Sequence, residues 1–134
     1  MLQSAWIIKG DKLKYTNKQL QEYFEILNNI ASKVTGKLAY LVIKNAHKIS
    51  NELQEYTTIR NQKIQEYGEP FNDTIRLSVD SENYPKFISE MAEYDEIELE
   101  LNFLKAEPED LYTSNLNAIE MEQISFMIND EEDA

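Results

Sequence analysis

Apolar residues recur every three or four positions through the first half of the chain, which is the spacing of a helix with one buried face. The first such run consists of Leu20, Tyr23, Phe24, Leu27, Ile30, Ala31 and Val34. Thr16 and Gln19 lie just before it at the spacing of a capping box, in which the two side chains satisfy backbone amides of the first turn. The pattern predicts a helix over residues 17–34 that stops near Gly36.

A second run covers residues 37–67, which contain neither glycine nor proline. On a helix its apolar positions share one face: Leu38, Val42, Ala46, Ile49, Leu53, Tyr56, Ile64 and Tyr67. We expect one continuous helix of roughly 46 Å, capped by Gly68 and barred from continuing by Pro70. A tight turn at Thr35-Gly36 would make the two helices a long antiparallel αα-hairpin.

The second half of the chain has shorter periods. Apolar and polar residues alternate over 75–79 and again over 97–101, as in half-buried strands. Residues 81–94 have helical spacing, with Pro85 tolerated in the first turn. Pro108 is expected to break the chain before a last helix, which Asn117 and Glu120 would cap.

Near the beginning of the chain, Gly10-Asp11 suits the turn of a short β-hairpin over residues 5–15. The predicted fold class is therefore α+β, a long antiparallel αα-hairpin packed on a small, mostly antiparallel sheet with two shorter helices. We expect a single domain over 1–134, with a basic half at 1–68, an acidic half at 69–129 and an acidic tail at 130–134.

The charge is distributed unevenly. The 134 residues carry 25 acidic and 13 basic side chains, a net charge of −12. Residues 1–68 have ten basic and six acidic residues, a balance of +4, whereas residues 69–134 have three and nineteen, a balance of −16. This asymmetry indicates either an interaction surface or two halves that attract each other. The net charge of −12 argues against direct binding of nucleic acid, which depends on cationic side chains.

The composition also excludes several kinds of chemistry. The chain has no cysteine and one histidine, His47, so thiolate catalysis, Cys-ligated zinc and sites with two imidazoles are excluded. Each of the three glycines is assigned to a turn, which leaves no phosphate-binding loop. Neither Asp95–Glu100 nor Asp130–Asp133 has an EF-hand pattern. We expect no enzyme activity, no cofactor and no metal.

No segment has the apolar length of a signal peptide or a membrane span, so we expect a cytoplasmic protein without membrane contact.

Two charged sets are the candidates for partner binding. The acidic set is Glu90, Glu93, Glu96, Glu98 and Glu100, of which the last three would project from one face of a strand at ~6.6–7 Å intervals. The basic set is Lys37, Lys44 and Lys48, which share one side of the second helix. Either set could instead be a solvated face, and the lysines could pair with the acidic half. As a functional surface, the glutamates would form a phosphate-like row that fits a basic channel of another protein.

Several stretches resemble a small uncharacterised protein family of phages and prophages in Gram-positive bacteria. They are Gly36-Lys37-Leu38-Ala39-Tyr40, Leu53 through Arg60, Glu66-Tyr67-Gly68-Glu69, the Glu-Ile-Glu-Leu segment and the Ile-Ser-Phe-Met-Ile segment. The likeness covers most of the chain and lies in turns and apolar positions. It implies a phage setting and assigns no site residues.

These observations lead to two expectations. The first is a phage-encoded, non-enzymatic binder that inhibits or modulates a host protein, such as nucleic-acid-handling or anti-phage defence machinery, through its acidic surface. The alternative is a virion-assembly or tail-associated accessory protein, acting as a homo-oligomer through Leu53, Tyr56 and Tyr67 of the long helix.

Overall fold

A computed structural model describes residues 13–129. Strand β1 (Leu13–Thr16) leads into α1 (Asn17–Ile30) and a 3₁₀ turn (Ala31–Lys33), followed by α2 (Gly36–Glu52) and α3 (Gln54–Tyr67). Strands β2 (Glu69–Phe71) and β3 (Thr74–Arg76) precede α4 (Tyr84–Asp95) and β4 (Glu98–Leu101). Two short helices follow, α5 (Pro108–Tyr112) and α6 (Ala118–Gln123), and then a 3₁₀ turn (Ser125–Met127). The predicted turn at Gly10-Asp11 and the tail at 130–134 lie outside the described residues.

The predicted α+β class is confirmed, and residues 13–129 contain two separate antiparallel sheets of two strands each. In the first, β1 pairs with β4, so that Tyr15 lies opposite Leu99 and Lys14 lies opposite Glu100. In the second, β2 pairs with β3 through a turn at Asn72-Asp73, where Asn72 has a φ of 49°. The two segments predicted as strands from alternation therefore belong to different sheets. The strand predicted over 75–79 is limited to Thr74–Arg76.

Helix α1 begins where the capping box predicts. The Thr16 hydroxyl accepts from the backbone amide of Gln19 at 3.1 Å, and the Gln19 side chain accepts from the amide of Thr16 at 2.9 Å. The helix ends at Ile30, earlier than the predicted residue 34, because the chain tightens into the 3₁₀ turn. Helix α1 packs against α2. Their antiparallel orientation stays a prediction.

The prediction of one continuous helix over 37–67 is wrong. Leu53, with ψ at 3°, separates α2 from α3. Backbone hydrogen bonds continue on both sides, from Leu53 N to Ile49 O at 2.9 Å and from Thr57 N to Leu53 O at 2.8 Å. Helical backbone hydrogen bonds to and from Leu53 are therefore kept at the break. Residues 37–67 contain neither glycine nor proline, so no local sequence signal marks the break.

The predicted oligomer interface on the long helix is wrong. Leu53, Tyr56 and Tyr67 are at most 9% exposed, because they pack into the core of the same chain. They are therefore not available as an interface for a second copy in this fold.

Gly68 ends α3 through close packing. Its φ is −83°, and an added Cβ would lie 2.6 Å from Ile64 O and 2.9 Å from Arg76 O. Gly36 is different, because its φ of +63° lies in the left-handed region while no atom would contact its Cβ.

The segment after β4 adds side chains to the core. It contains α5, a helix that the sequence pattern did not predict. Pro108 occupies the first turn of this helix, and Glu107 and Asp110 cap it. The predicted cap at Asn117 and Glu120 is confirmed. The core includes the following side chains: Leu20, Leu27, Ile30, Val42, Ile49, Phe87, Met91, Ile124 and Met127.

Candidate protein-binding surface

The pairing of β1 with β4 determines where the acidic side chains point. Leu99 and Leu101 lie on the inner side, where Leu101 is buried, so Glu98 and Glu100 project from the outer side. Both glutamates are exposed, as is Glu93 within α4. Glu96 is exposed too, but it caps the end of α4 with helical backbone angles and lies outside β4, so the prediction that it projects from the strand face is wrong. We name Glu93, Glu96, Glu98 and Glu100 the acidic face. None of its members forms an ion pair with another residue of the range 13–129.

Glu90, the fifth predicted member, does not belong to this face. Its carboxylate lies 2.8 Å from Nζ of Lys63 and accepts a hydrogen bond from the Tyr67 hydroxyl, both on α3. The hydrogen bonds from Lys63 and then Tyr67 hold the pKa of Glu90 below its ordinary value. The bond to Glu90 also raises the pKa of the Tyr67 hydroxyl. Glu90 therefore links α4 to α3, and its carboxylate is already engaged by Lys63 and Tyr67.

Ion pairs within the described part of the chain join the two halves. Lys33 pairs with Glu120, Lys37 lies 3.7 Å from Asp110, and Lys63 pairs with Glu90. In each pair the lysine comes from the basic half and the carboxylate from the acidic half. The attraction between halves thus accounts for part of the charge asymmetry, but it leaves the acidic face unpaired.

The basic set is divided in the same way. Lys37 is bound to Asp110 at the first turn of α5, whereas Nζ of Lys44 lies 5.6 Å from the centre of the Tyr40 ring. Lys48 is half-buried and has no ion pair with a described residue. His47 is exposed on the same helix. Lys44 and Lys48 therefore remain candidates for partner binding.

An apolar patch lies beside these lysines. Tyr40 is 58% exposed and Ile43 is 51% exposed, and both point away from the buried side of α2. With the spacing of three residues they lie next to each other on the helix surface. Large apolar side chains exposed together favour contact with another surface.

A cleft that sequence analysis did not anticipate lies where α1, α3 and α4 meet. It has a volume of about 250 Å³, and its lining includes Tyr56, Asp95, Arg60 and Lys18. The Tyr56 hydroxyl donates to the carboxylate of Asp95 and lies 3.2 Å from Oε1 of Gln21. Burial and this hydrogen bond raise the pKa of Tyr56, while the charge of Arg60 opposes the rise. The residues come from three helices, so no local motif could reveal the cleft.

Within residues 13–129, no group of three or more acidic or histidine side chains is arranged to hold a metal ion. None of the helices described over this range is both long and apolar enough to cross a membrane.

Comparisons of the chain with protein-family models, with curated proteins and with solved structures found no significant match. The resemblance to a phage protein family therefore stays a prediction.

Proposed function

We propose that this protein is a phage-encoded, non-enzymatic binding protein that inhibits or modulates a host protein in the host cytoplasm. The acidic face is the binding surface, and its target is a basic surface of nucleic-acid-handling or anti-phage defence machinery. No cofactor takes part in this function.

The observation that supports the proposal is the difference between paired and unpaired carboxylates. Glu90, Asp110 and Glu120 each pair with a lysine of the basic half. The four glutamates of the acidic face are exposed and make no such pair within the described chain. Like charges held close together repel each other, so the arrangement has a cost that a cationic partner would remove.

The geometry of β4 suits a channel that accepts a polyanion. Glu98 and Glu100 project from one side of an extended strand, which places them ~7 Å apart along it. A strand held by its pairing with β1 presents these charges at fixed positions, so less conformational entropy is lost on binding than with a flexible acidic segment. The contact requires only charge and shape.

A comparison of two charge-matched variants tests the proposal. The first carries Glu96→Gln, Glu98→Gln and Glu100→Gln. The control carries Glu22→Gln, Glu52→Gln and Glu122→Gln, three exposed glutamates without a described ion pair. Both variants have the same net charge, so only the position of the lost charge differs.

The experiment is affinity capture from host cells, identification of the bound protein, and titration of that purified protein with each variant. We expect the first variant to bind at least about tenfold more weakly than wild type, and the control to change affinity by less than about twofold. Equal weakening by both variants would show that net charge alone is responsible and would contradict the proposal.

The alternative proposal, a virion-assembly or tail-associated protein that self-associates, is favoured by the exposed pair Tyr40 and Ile43. Because Leu53, Tyr56 and Tyr67 are buried, this alternative places the interface on the outer side of α2 instead. Sedimentation velocity at increasing concentration distinguishes it, since a homo-oligomer would form without any host protein.

A further inference from the structure

We infer that the cleft between α1, α3 and α4 binds a small amphipathic anion, a flat apolar body that carries one carboxylate or phosphate group. This site is separate from the acidic face and does not depend on the proposed function.

The floor of the cleft provides the apolar contact. Phe87 and Met91 of α4 are buried, Ile64 and Leu77 are half-buried, and all four line the cleft. Ile88, which is 46% exposed, also lines the cleft. A volume of about 250 Å³ accommodates a bicyclic aromatic ring in contact with these side chains.

Two cations at the rim provide the recognition of an anion. Arg60 and Lys18 both line the cleft, both are exposed, and neither forms an ion pair with a residue of the described chain. Cζ of Arg60 lies 5.9 Å from the centre of the Phe87 ring. This contact holds the guanidinium next to the floor, where its N–H groups could bind an oxyanion in a bidentate way. The chain has a net charge of −12, so two cations without ion pairs at one cleft make this cleft locally more positive than the chain as a whole.

Asp95 also lines the cleft, and its charge would repel an anion. Its carboxylate is engaged by the Tyr56 hydroxyl, which fixes it on the polar wall of the cleft. Two cations and one carboxylate are the charged residues that line the cleft, so we expect an anion bound beside Arg60 and Lys18 to be attracted.

The probes for the test are 1-naphthoate and 1-naphthyl phosphate, with 1-naphthalenemethanol as the neutral analogue. Each is titrated into the full-length protein and followed by ¹H–¹⁵N NMR. We expect saturable binding of at least one anion, with shifts at Arg60, Phe87 and Ile88, and binding of the alcohol at least about tenfold weaker. The stronger of the two anions identifies the group that the site prefers.

Substitutions at the rim test the cations directly. Arg60→Gln and Lys18→Gln should each weaken binding by about tenfold, and Ile88→Glu should abolish it by adding a negative charge at the rim. Arg76→Gln is the matched control, because Arg76 also lies over an aromatic ring, with Cζ 4.5 Å from the centre of Phe71, but outside this cleft.

All four positions are solvent-exposed, so the variants should retain the fold, which circular dichroism checks. The inference is overturned if neither anion saturates, if the alcohol binds as tightly as the anions, or if Arg76→Gln weakens binding as much as Arg60→Gln.

Discussion

The side chain of Asn45 pairs with both backbone polar groups of Leu104. Its Nδ2 donates to Leu104 O at 2.9 Å, and its Oδ1 accepts from Leu104 N at 2.8 Å. Asn45 is fully buried in the middle of α2, and Leu104 lies in the segment after β4. Burying an amide without hydrogen bonds costs free energy, so this pair holds the chain that leaves β4 against α2.

Replacing Asn45 by leucine should therefore lower the free energy of unfolding by about 1–3 kcal/mol, because both backbone groups of Leu104 lose their partner. Urea denaturation followed by circular dichroism measures the change. Asn51→Leu on the exposed side of the same helix is the control, with an expected change within about 0.5 kcal/mol. Equal stability of the two variants would mean that the Asn45 pair contributes nothing.

The contact between Asn45 and Leu104 also shows where sequence patterns fail. Helical periodicity identifies Leu38, Val42 and Ile49 as buried, and all three are. It assigns an asparagine to the surface, since nothing in the local sequence indicates that a backbone segment 59 residues away supplies the partner. Long-range pairing of this kind is set by tertiary packing alone.

Gly68 and Gly36 should respond differently to alanine. At Gly68 an added Cβ would meet Ile64 O at 2.6 Å and Ile75 Cγ2 at 2.7 Å, so Gly68→Ala should cost about 2–3 kcal/mol and disturb the β2–β3 sheet. At Gly36 the cost is that of the left-handed backbone, about 1–2 kcal/mol.

Gly36→Asn tests whether the left-handed backbone is the cause of the cost at this position. Asparagine tolerates the left-handed region and should therefore cost less than alanine there. Thermal unfolding of the three variants provides the comparison. The account of Gly68 is contradicted if Gly68→Ala is no less stable than Gly36→Ala.

The carboxylate of Glu90 should make stability depend on pH. Its pKa is lowered in the fold by Lys63 and Tyr67, so its contribution is full above the ordinary carboxyl pKa of 4.5 and is lost as the pH falls through the lower folded value. The melting temperature of Glu90→Gln should therefore lie below that of wild type at pH 7, and the two should converge in acid. Glu93→Gln, on an exposed carboxylate of the same helix, should match wild type throughout. A difference at pH 7 that persists undiminished in acid would contradict this role.

Charge patterns along the sequence identify acidic residues but not how the fold arranges them. The alternation along β4 correctly predicted that Glu98 and Glu100 lie on one face of the strand and that Leu99 and Leu101 lie on the other. The same pattern did not reveal that Glu90 is bound to Lys63, because the ion pair depends on how α4 packs on α3. The cleft beside Arg60 was not anticipated for the same reason.

In the alternative proposal, self-association should depend on the outer side of α2. The double change Tyr40→Ser and Ile43→Ser should convert any concentration-dependent oligomer to monomer in sedimentation velocity, because it removes the exposed apolar contact. Tyr112→Ser with Ile119→Ser is the matched control, since these apolar residues are also exposed but lie on α5 and α6. An oligomer that survives the first change and not the second would place the interface elsewhere.

The salt dependence of partner binding tests the central claim most directly. The dissociation constant for the captured host protein is measured between about 50 and 500 mM NaCl, a range over which exposed charges become screened. We predict that binding by wild type weakens steeply with salt, and that Glu96→Gln, Glu98→Gln and Glu100→Gln together flatten this dependence while the charge-matched control does not. Parallel salt dependences for all three proteins would contradict recognition through the acidic face.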